Sequence, residues 1–543
     1  MPEPLPAGDW DVVVVGAGTS GCPLAARLAD AGRRVLLLEA GADHPRVEDF
    51  PAVLTDAARM GAAVPGAPQN WDLSGRLTEE VTAPVPRGRV VGGSSALNGG
   101  YFVRGTPADF DSWAADGNDL WSWERVLPAF RRLEADADHG GTPLHGADGP
   151  VPVRRPAEGH PLADAFGAAA EALGFPLEPD KNAGGPAGWG PIPFNVADGV
   201  RVNTAMAYLS PRRDLPGLAV RGGVRVRRVL VEGGRAVGVA TDAGAVRAGE
   251  VVLCAGAVGS AQLLLLSGIG PADELRAHGI DVVVDSPGVG RDFTDHPDLY
   301  LTWTPSRRLP MPRDLLPLHS ALNTAATGSA EADLEVLPWL KPFSRVMVDG
   351  AAAGMRGVLR RPGATLRALR GASLHRLLDS ARRRDDLFVG VALQQEDSRG
   401  RLTLAGPDPA RRPRLDYRYL TEERDRRRMR EVVRLAAELL RTPPLADLVA
   451  ARTGLPDDVL ADDRALDRWV RRHIATAVHL AGTARMGPDG DPGAVVDQRL
   501  RVRGVDGLRV VDTSVMPRVT SRGPAATAVM LGERAAELMT SPG

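Results

Sequence analysis

Residues 11–39 read DVVVVGAGTSGCPLAARLADAGRRVLLLE and decide the fold. Asp11 to Val15 is one polar residue followed by an unbroken apolar run, the pattern of a strand buried on both faces of a parallel sheet. Gly16, Gly18 and Gly21 follow at once, and Cys22 to Leu28 has the apolar spacing of a helix. Arg34 to Leu38 is a second buried strand that ends at Glu39. Strand, glycine turn, helix, strand and acid in this order form a complete dinucleotide-binding βαβ unit. Gly16 permits the tight turn, Gly18 lets the backbone approach a pyrophosphate, and Gly21 lets helix and strand pack closely. The helix N-terminus offers unpaired N–H groups and the positive end of its dipole to phosphates. Glu39 lies roughly 20 residues past the glycines, where an acid accepts from ribose hydroxyls. That acid disfavours a 2′-phosphate, which points to FAD or NAD over NADP.

Length and composition bound the rest. At 543 residues the chain has room for more than one domain. A net charge of −2 makes no electrostatic case for nucleic acid. The two cysteines, Cys22 and Cys254, fall in core-like segments without a CxxC partner, as buried thiols of a reducing compartment do. The first residues, MPEPLPAGDWD, lack the basic and apolar regions of a secretion signal, and no run approaches the about 18 apolar residues of a membrane span. A cytoplasmic location is the expectation.

Further along, residues 87–105 read RGRVVGGSSALNGGYFVRG. The Gly92-Gly93-Ser94-Ser95 turn can wrap a flat ring or a phosphate. Residues 249–270 read GEVVLCAGAVGSAQLLLLSGIG, another buried strand entering a glycine turn and a helix. Residues 288–297 read GVGRDFTDHP. Near the C-terminus stand HLAGTARMG and LRVVDTSVMP. Together, and in this order, these segments resemble the signatures of the glucose–methanol–choline (GMC) oxidoreductases, FAD-dependent flavoproteins that oxidise alcohols. The resemblance runs nearly end to end.

What the resemblance implies for fold is an α/β (α+β) protein. A Rossmann-type FAD domain over 1–155, 201–298 and 476–543 is interleaved with a substrate domain over 156–200 and 299–475, built on an antiparallel sheet with helices. Local patterns agree. Residues 386–394 and 399–404 are strand-like around a Ser-Arg-Gly turn, and 421–440 has the charged, periodic pattern of a surface helix.

Alcohol oxidation needs a base for the hydroxyl proton and an acceptor for the hydride. A histidine is the simplest base near neutral pH. The resemblance places the catalytic histidine at His479, three residues before Gly482-Thr483. Family flavin contacts carry over to Gly16, Gly18, Gly21, Glu39, Gly93, Ser94, Asn98, Val226, Ala255 and Asp512. Some relatives attach FAD through a histidine just before the asparagine; Leu97 stands there, so non-covalent FAD is expected. No metal ligand set is expected, and His296 in the Asp-His-Pro turn is read as structural. The family's second polar residue, His or Asn, falls on Ala525 when counted back from Glu533. Alanine cannot exchange a proton, so the chain departs from the pattern here.

NGGYFVRG, GPVPVRR, DHPD, HLAGTARMG and SRGPAATAVMLGERAAE resemble the mycofactocin-associated branch of the family. That branch implies reduced mycofactocin as the electron donor and a quinone or the respiratory chain as the acceptor. Residues 354–384 carry nine arginines against the single acid Asp379, with leucines interleaved. A peripheral contact with an anionic membrane is one reading of this stretch; a surface helix with its leucines in the core is the other. The competing functions are a choline-dehydrogenase-like enzyme for a small alcohol, a flavin-containing lyase, and an FAD-binding protein without turnover. No motif specifies an aromatic cage for a quaternary ammonium.

Overall fold

The computed structural model describes residue 8 and residues 10–156, 159–312, 314–347 and 386–541. The basic stretch 354–384 lies outside the described residues. Among the described residues, no helix is long and apolar enough to cross a membrane.

Strand Trp10–Val15 is central in the first sheet. Val12 to Val15 pair in parallel with Val35 to Leu38 on one side and with Glu250 to Leu253 on the other. Both edges are therefore hydrogen-bonded and both faces covered, which is why the valine run needs no polar alternation. Strand Leu218–Arg221 extends the sheet beyond Val35–Leu38, and Leu508–Val510 adds in parallel to the end of Gly244–Leu253. An antiparallel meander of Val226–Glu232 and Arg235–Thr241 completes it. The helix Gly21–Asp30 buries seven of its ten residues. The last helix, Ala525–Thr540, lies against it so closely that a Cβ on Gly532 would sit 2.4 Å from the Ser20 carbonyl oxygen. Glu533 on that helix is buried and accepts from Arg27, Arg132 and Tyr208.

The second large sheet is antiparallel, in the order Val449–Thr453, Pro297–Pro305, Leu387–Leu393, Leu334–Pro338, Ser320–Thr324, Trp189–Pro191. Its alternation sorts two faces. Leu299, Leu301, Val389, Val391, Leu334 and Val336 share one core with Met429, Val432 and Val433 of helix Glu423–Leu439. Asp298, Ala392, Glu335 and Asn323 lie opposite one another across four strands and hence on one face. Leu337 on that face packs with Tyr101 and Phe194 from the other half of the chain.

The domain limits expected from sequence are bridged at two places. Pro297 and Asp298, inside the segment expected in the FAD domain, already pair with Ala475 and Thr476 in the second sheet. Strands Leu73–Arg76 and Thr82–Val85, also expected in that domain, form a four-stranded sheet with Arg401–Thr403 and Arg414–Asp416. The helix expected over 421–440 spans Glu423–Leu439, and it is half core rather than purely surface.

Candidate functional site

The glycines expected at the nucleotide gather where the parallel strands end, the place at which such sheets bind ligands. Gly16 has φ +104°, and a Cβ there would fall 2.5 Å from the Cys254 carbonyl oxygen. A Cβ on Gly21 would sit 2.0 Å from the Gly16 oxygen. Gly93, at φ +54°, brings the 92–98 turn against the first: its Cβ would lie 2.6 Å from the Gly18 Cα. Ser94 Oγ accepts from Gly88 N at 3.1 Å, and Asn98 Oδ1 accepts from Gly100 N at 3.0 Å. Glu39 is buried; its two oxygens accept from Ala17 N at 3.1 Å and Gly41 N at 2.8 Å. Burial pushes its carboxyl up to about 7, against the pull of those backbone donors.

Ala255 and Asp512 meet at the end of strand Gly244–Leu253. Asp512 Oδ2 accepts from Gly256 N at 2.9 Å and from Ser260 Oγ, and Oδ1 accepts from Ser514 N at 2.8 Å. Asp512 thus ties the start of helix Gly256–Leu266 to the short helix Thr513–Val515. Val226 opens its strand, buried, two residues after Val224, whose N–H donates to the Glu39 carbonyl. Leu97 is 4% exposed and apolar, with no group able to bond a cofactor.

This set fits FAD. The glycine contact between 18 and 93 admits only bare backbone. Glu39 keeps acceptor capacity beyond its two N–H partners. Asn203, whose Oδ1 lies at Gly92, has a buried Nδ2 without a partner, the kind of donor a bound polar ligand satisfies.

A second cluster sits between the two sheets. His479 and His296, which sequence reading separated into catalytic and structural, are in contact: Nδ1 to Nδ1 is 2.8 Å, with the rings edge to face at 4.9 Å. His296 therefore belongs to the candidate site. Asp295 brings the two segments together, its Oδ1 accepting from His296 N at 2.6 Å and His479 N at 2.7 Å. Its Oδ2 accepts from Thr476 Oγ1 at 3.0 Å, and burial pushes the carboxyl up to about 6. Reciprocal backbone bonds between Thr294 and Ala481 close the same seam. Val478, just before His479, has φ +59°, and its carbonyl accepts from Arg87 Nη1 at 2.6 Å. A β-branched residue in the left-handed region is strained, and here the strain turns His479 into place.

The hydrogen bonds assign the tautomers. His296 Nε2 is 3.0 Å from the Thr520 carbonyl oxygen, which can only accept, so Nε2 carries the proton. His296 Nδ1 is then a lone pair, and the His479 Nδ1 facing it must be the donor. His479 Nε2 is left with its lone pair. Both rings are neutral: burial pushes His296 down to about 3, while burial, then His296 and Arg87, push His479 well below the usual histidine range.

Gly523 is the residue of the C-terminal segment against this pair. A Cβ on it would lie 3.4 Å from His479 Cε1 and 3.3 Å from the Tyr101 ring. Tyr101 Oη donates to Glu335 Oε1 at 2.8 Å, and Asn323 and Gln394 donate to the same buried carboxylate. Ala525 begins the last helix, half-buried against the main core. Sequence reading missed Asp295, Tyr101, Glu335 and Gly523, because nothing in their local sequence marks a pairing hundreds of residues away. The one available signal was the acid beside His296.

A separate group, Glu134, Asp136 and His145, is tight enough to suggest a metal. Arg104 and Arg155 already occupy its carboxylates, and His145, bonded to Glu134 and Asp180, is raised to about 10 and holds both protons. It is an ion-pair network.

Glycine turns suited to a nucleotide and a buried pair of neutral histidines are together the parts of a dinucleotide-dependent oxidoreductase. The family follows from comparison: the chain belongs to the GMC oxidoreductases, whose N-terminal domain matches residues 10–298 and whose C-terminal domain matches residues 396–532. It is 39% identical over 536 residues to an uncharacterized GMC-type oxidoreductase of Rhodococcus erythropolis, covering 97% of this chain and 98% of that one. It is 33% identical over 551 residues to the oxygen-dependent choline dehydrogenase of Photobacterium profundum, covering 97% and 92%. The crystal structure of pyridoxine 4-oxidase from Mesorbium loti superposes with a TM-score of 0.84 at 30% identity, covering 97% and 99%.

Proposed function

We propose that this protein oxidises a CH–OH group with His479 Nε2 as the base. The observation that carries the reading is the 2.8 Å contact between His296 and His479, which leaves one outward lone pair on a neutral imidazole. The O–H bond gives its proton to Nε2, the C–H bond releases its electron pair as hydride, and a carbonyl forms. Bound FAD supplies the hydride acceptor. Non-covalent attachment is part of the proposal, supported by the inert Leu97. The chain's own residues hold the dinucleotide through Gly16, Gly18, Gly21, Glu39, Gly93, Ser94 and Asn98. Asp295 and Val478 hold the base in line.

For the donor we put reduced mycofactocin first, supported by the resemblance of NGGYFVRG, DHPD and SRGPAATAVMLGERAAE to that branch, with a quinone or the respiratory chain as acceptor. A small alcohol is the second reading, supported by the full-length likeness to oxygen-dependent choline dehydrogenases. Tyr300, Trp339 and Phe388 do cluster, but they pack on one another, with Trp339 and Phe388 at 4.9 Å. FAD-loaded protein is mixed anaerobically with reduced mycofactocin and, separately, with a panel of simple alcohols while flavin absorbance is followed. Bleaching by mycofactocin alone is the expected result. Bleaching by a small alcohol transfers the assignment to the second reading, and no bleaching by either removes the oxidation itself.

A further inference from the structure

Arg522 is 2% exposed, and among the described residues no carboxylate lies within ion-pair distance of it. Its Nη1 donates to two carbonyl oxygens, Ser521 at 2.7 Å and Ala332 at 3.3 Å. Its Nε is buried without a partner, and among the described residues its hydrogen bonds are made by Nη1 alone. Buried arginines are normally paired, because an uncompensated charge in a low-dielectric interior is costly. The Nε of each other fully buried arginine is likewise without a partner, but their forks are spent: Arg104 and Arg428 meet carboxylates, and Arg201 donates to four carbonyls.

The position is equally specific. Thr520 holds His296, Gly523 packs on His479 and Tyr101, and Arg522 stands between them in the sequence, its charge acting on His296. The last helix begins at Ala525, and no acid stands in its first turn and no side chain caps it. Its dipole adds positive potential to the same segment instead of relieving it. The nearby acids are already engaged: Glu335 by Tyr101, Asn323 and Gln394, and Asp109 by Thr106, Ser521 and Gln395.

We propose that Arg522 is the receptor for an anionic oxygen of the substrate beside His479, in the role that the alanine at 525 cannot fill. Two sources share that chemistry: the alkoxide that develops as the hydroxyl proton moves to His479 Nε2, and a carboxylate carried elsewhere on the substrate. A guanidinium serves either, since its free N–H groups are preoriented and stay charged throughout the working pH range. The inference rests on the oxidation reading for its purpose, but anion binding can be measured without turnover.

The probe is acetate, with acetamide as its neutral isostere, titrated into FAD-loaded wild type, Arg522→Lys and Arg522→Gln while the flavin spectrum is followed. Acetate should perturb the wild-type spectrum to saturation, and acetamide should not. Arg522→Gln should weaken acetate by at least about ten-fold, with Arg522→Lys in between because it keeps the charge but not the fork. Thermal melting of each variant shows that the comparison is made on folded protein, and Arg522→Lys carries the test if Arg522→Gln does not fold. Equal acetate binding in all three proteins overturns the proposal, and so does a wild type blind to acetate. With a reducing substrate in hand, loss of maximal reduction rate at unchanged half-saturation in Arg522→Gln assigns the alkoxide; a raised half-saturation at unchanged maximal rate assigns the carboxylate. Loss of neither overturns the role.

Discussion

His296 Nδ1 lies 2.8 Å from His479 Nδ1, and the Thr520 carbonyl on the far side of His296 makes that contact directional. A chain of three fixed partners, carbonyl to ring to ring, ends in a lone pair on His479 Nε2. Replacing His296 by Leu removes the acceptor, so the His479 tautomer is no longer chosen. Flavin reduction should slow about 10- to 100-fold with little change in half-saturation, whereas His479→Ala should cost about 10² to 10⁴. Stopped-flow reduction checks both, and an unchanged rate in His296→Leu would show that the tautomer chain has no part in the chemistry.

The base is neutral when active, and its acid form is disfavoured by the surroundings. A depressed pKa keeps the lone pair available at every pH above it. The rate of flavin reduction should therefore stay level from about pH 8 down through the ordinary histidine range and fall only well below it. An acid limb centred near 6.5, the unshifted histidine value, contradicts the assignment.

Val478 holds φ +59° directly before the base. Strain of this kind is worth about 1–3 kcal/mol, and glycine is free of it. Val478→Gly should leave thermal stability unchanged or slightly raised while slowing reduction several-fold, because the turn that aims His479 loosens. Parallel melting and rate measurements separate the two effects; a stability loss without a rate loss would rule out an aiming role.

At the nucleotide turn, Gly93→Ala places a methyl 2.6 Å from the Gly18 Cα in a backbone region that favours glycine. The two turns must part, and FAD retention should fall at least ten-fold, by about 1.4 kcal/mol or more. Fluorescence of released flavin during gel filtration reads this directly. Retention equal to wild type would mean that the 18–93 approach is not part of the cradle.

Four buried groups hold extra protons in the folded state. Glu39 and Asp298 are raised to about 7, Asp295 to about 6, and His145 to about 10. Between the unfolded carboxylate values and about pH 10, these four bind more protons in the native than in the unfolded chain, and they outweigh the opposite contribution of His296, His479 and Lys181, whose values are lowered, so stability falls as pH rises from about 6 to about 9. For Glu39 alone the ionised form costs on the order of 3 kcal/mol. The apo-protein should melt higher at about pH 6 than at about pH 9, and Glu39→Gln should flatten part of that slope. A melting temperature that rises with pH over this window contradicts the burial assigned to these groups.

The sequence by itself determined the nucleotide half of the protein. Within residues 11–39, strand, turn, helix and acid are neighbours in the chain, so spacing and side-chain chemistry specify them locally, and Gly16, Gly18, Gly21 and Glu39 stand where their types require. The expectation for His479 came from the motif around it. Only the tertiary structure decided what surrounds that histidine. His296 lies 183 residues away in sequence; Tyr101 and Glu335 come from opposite halves of the chain. Gly523 lies so near the ring that a Cβ on it would be 3.4 Å from His479 Cε1. The strands of 73–85 share a sheet with 401–403 and 414–416 because sheet edges take whatever partner the folded chain brings. Hydrogen-bond partners of buried groups are set by which distant segments the two sheets bring together, and no local pattern encodes that distance.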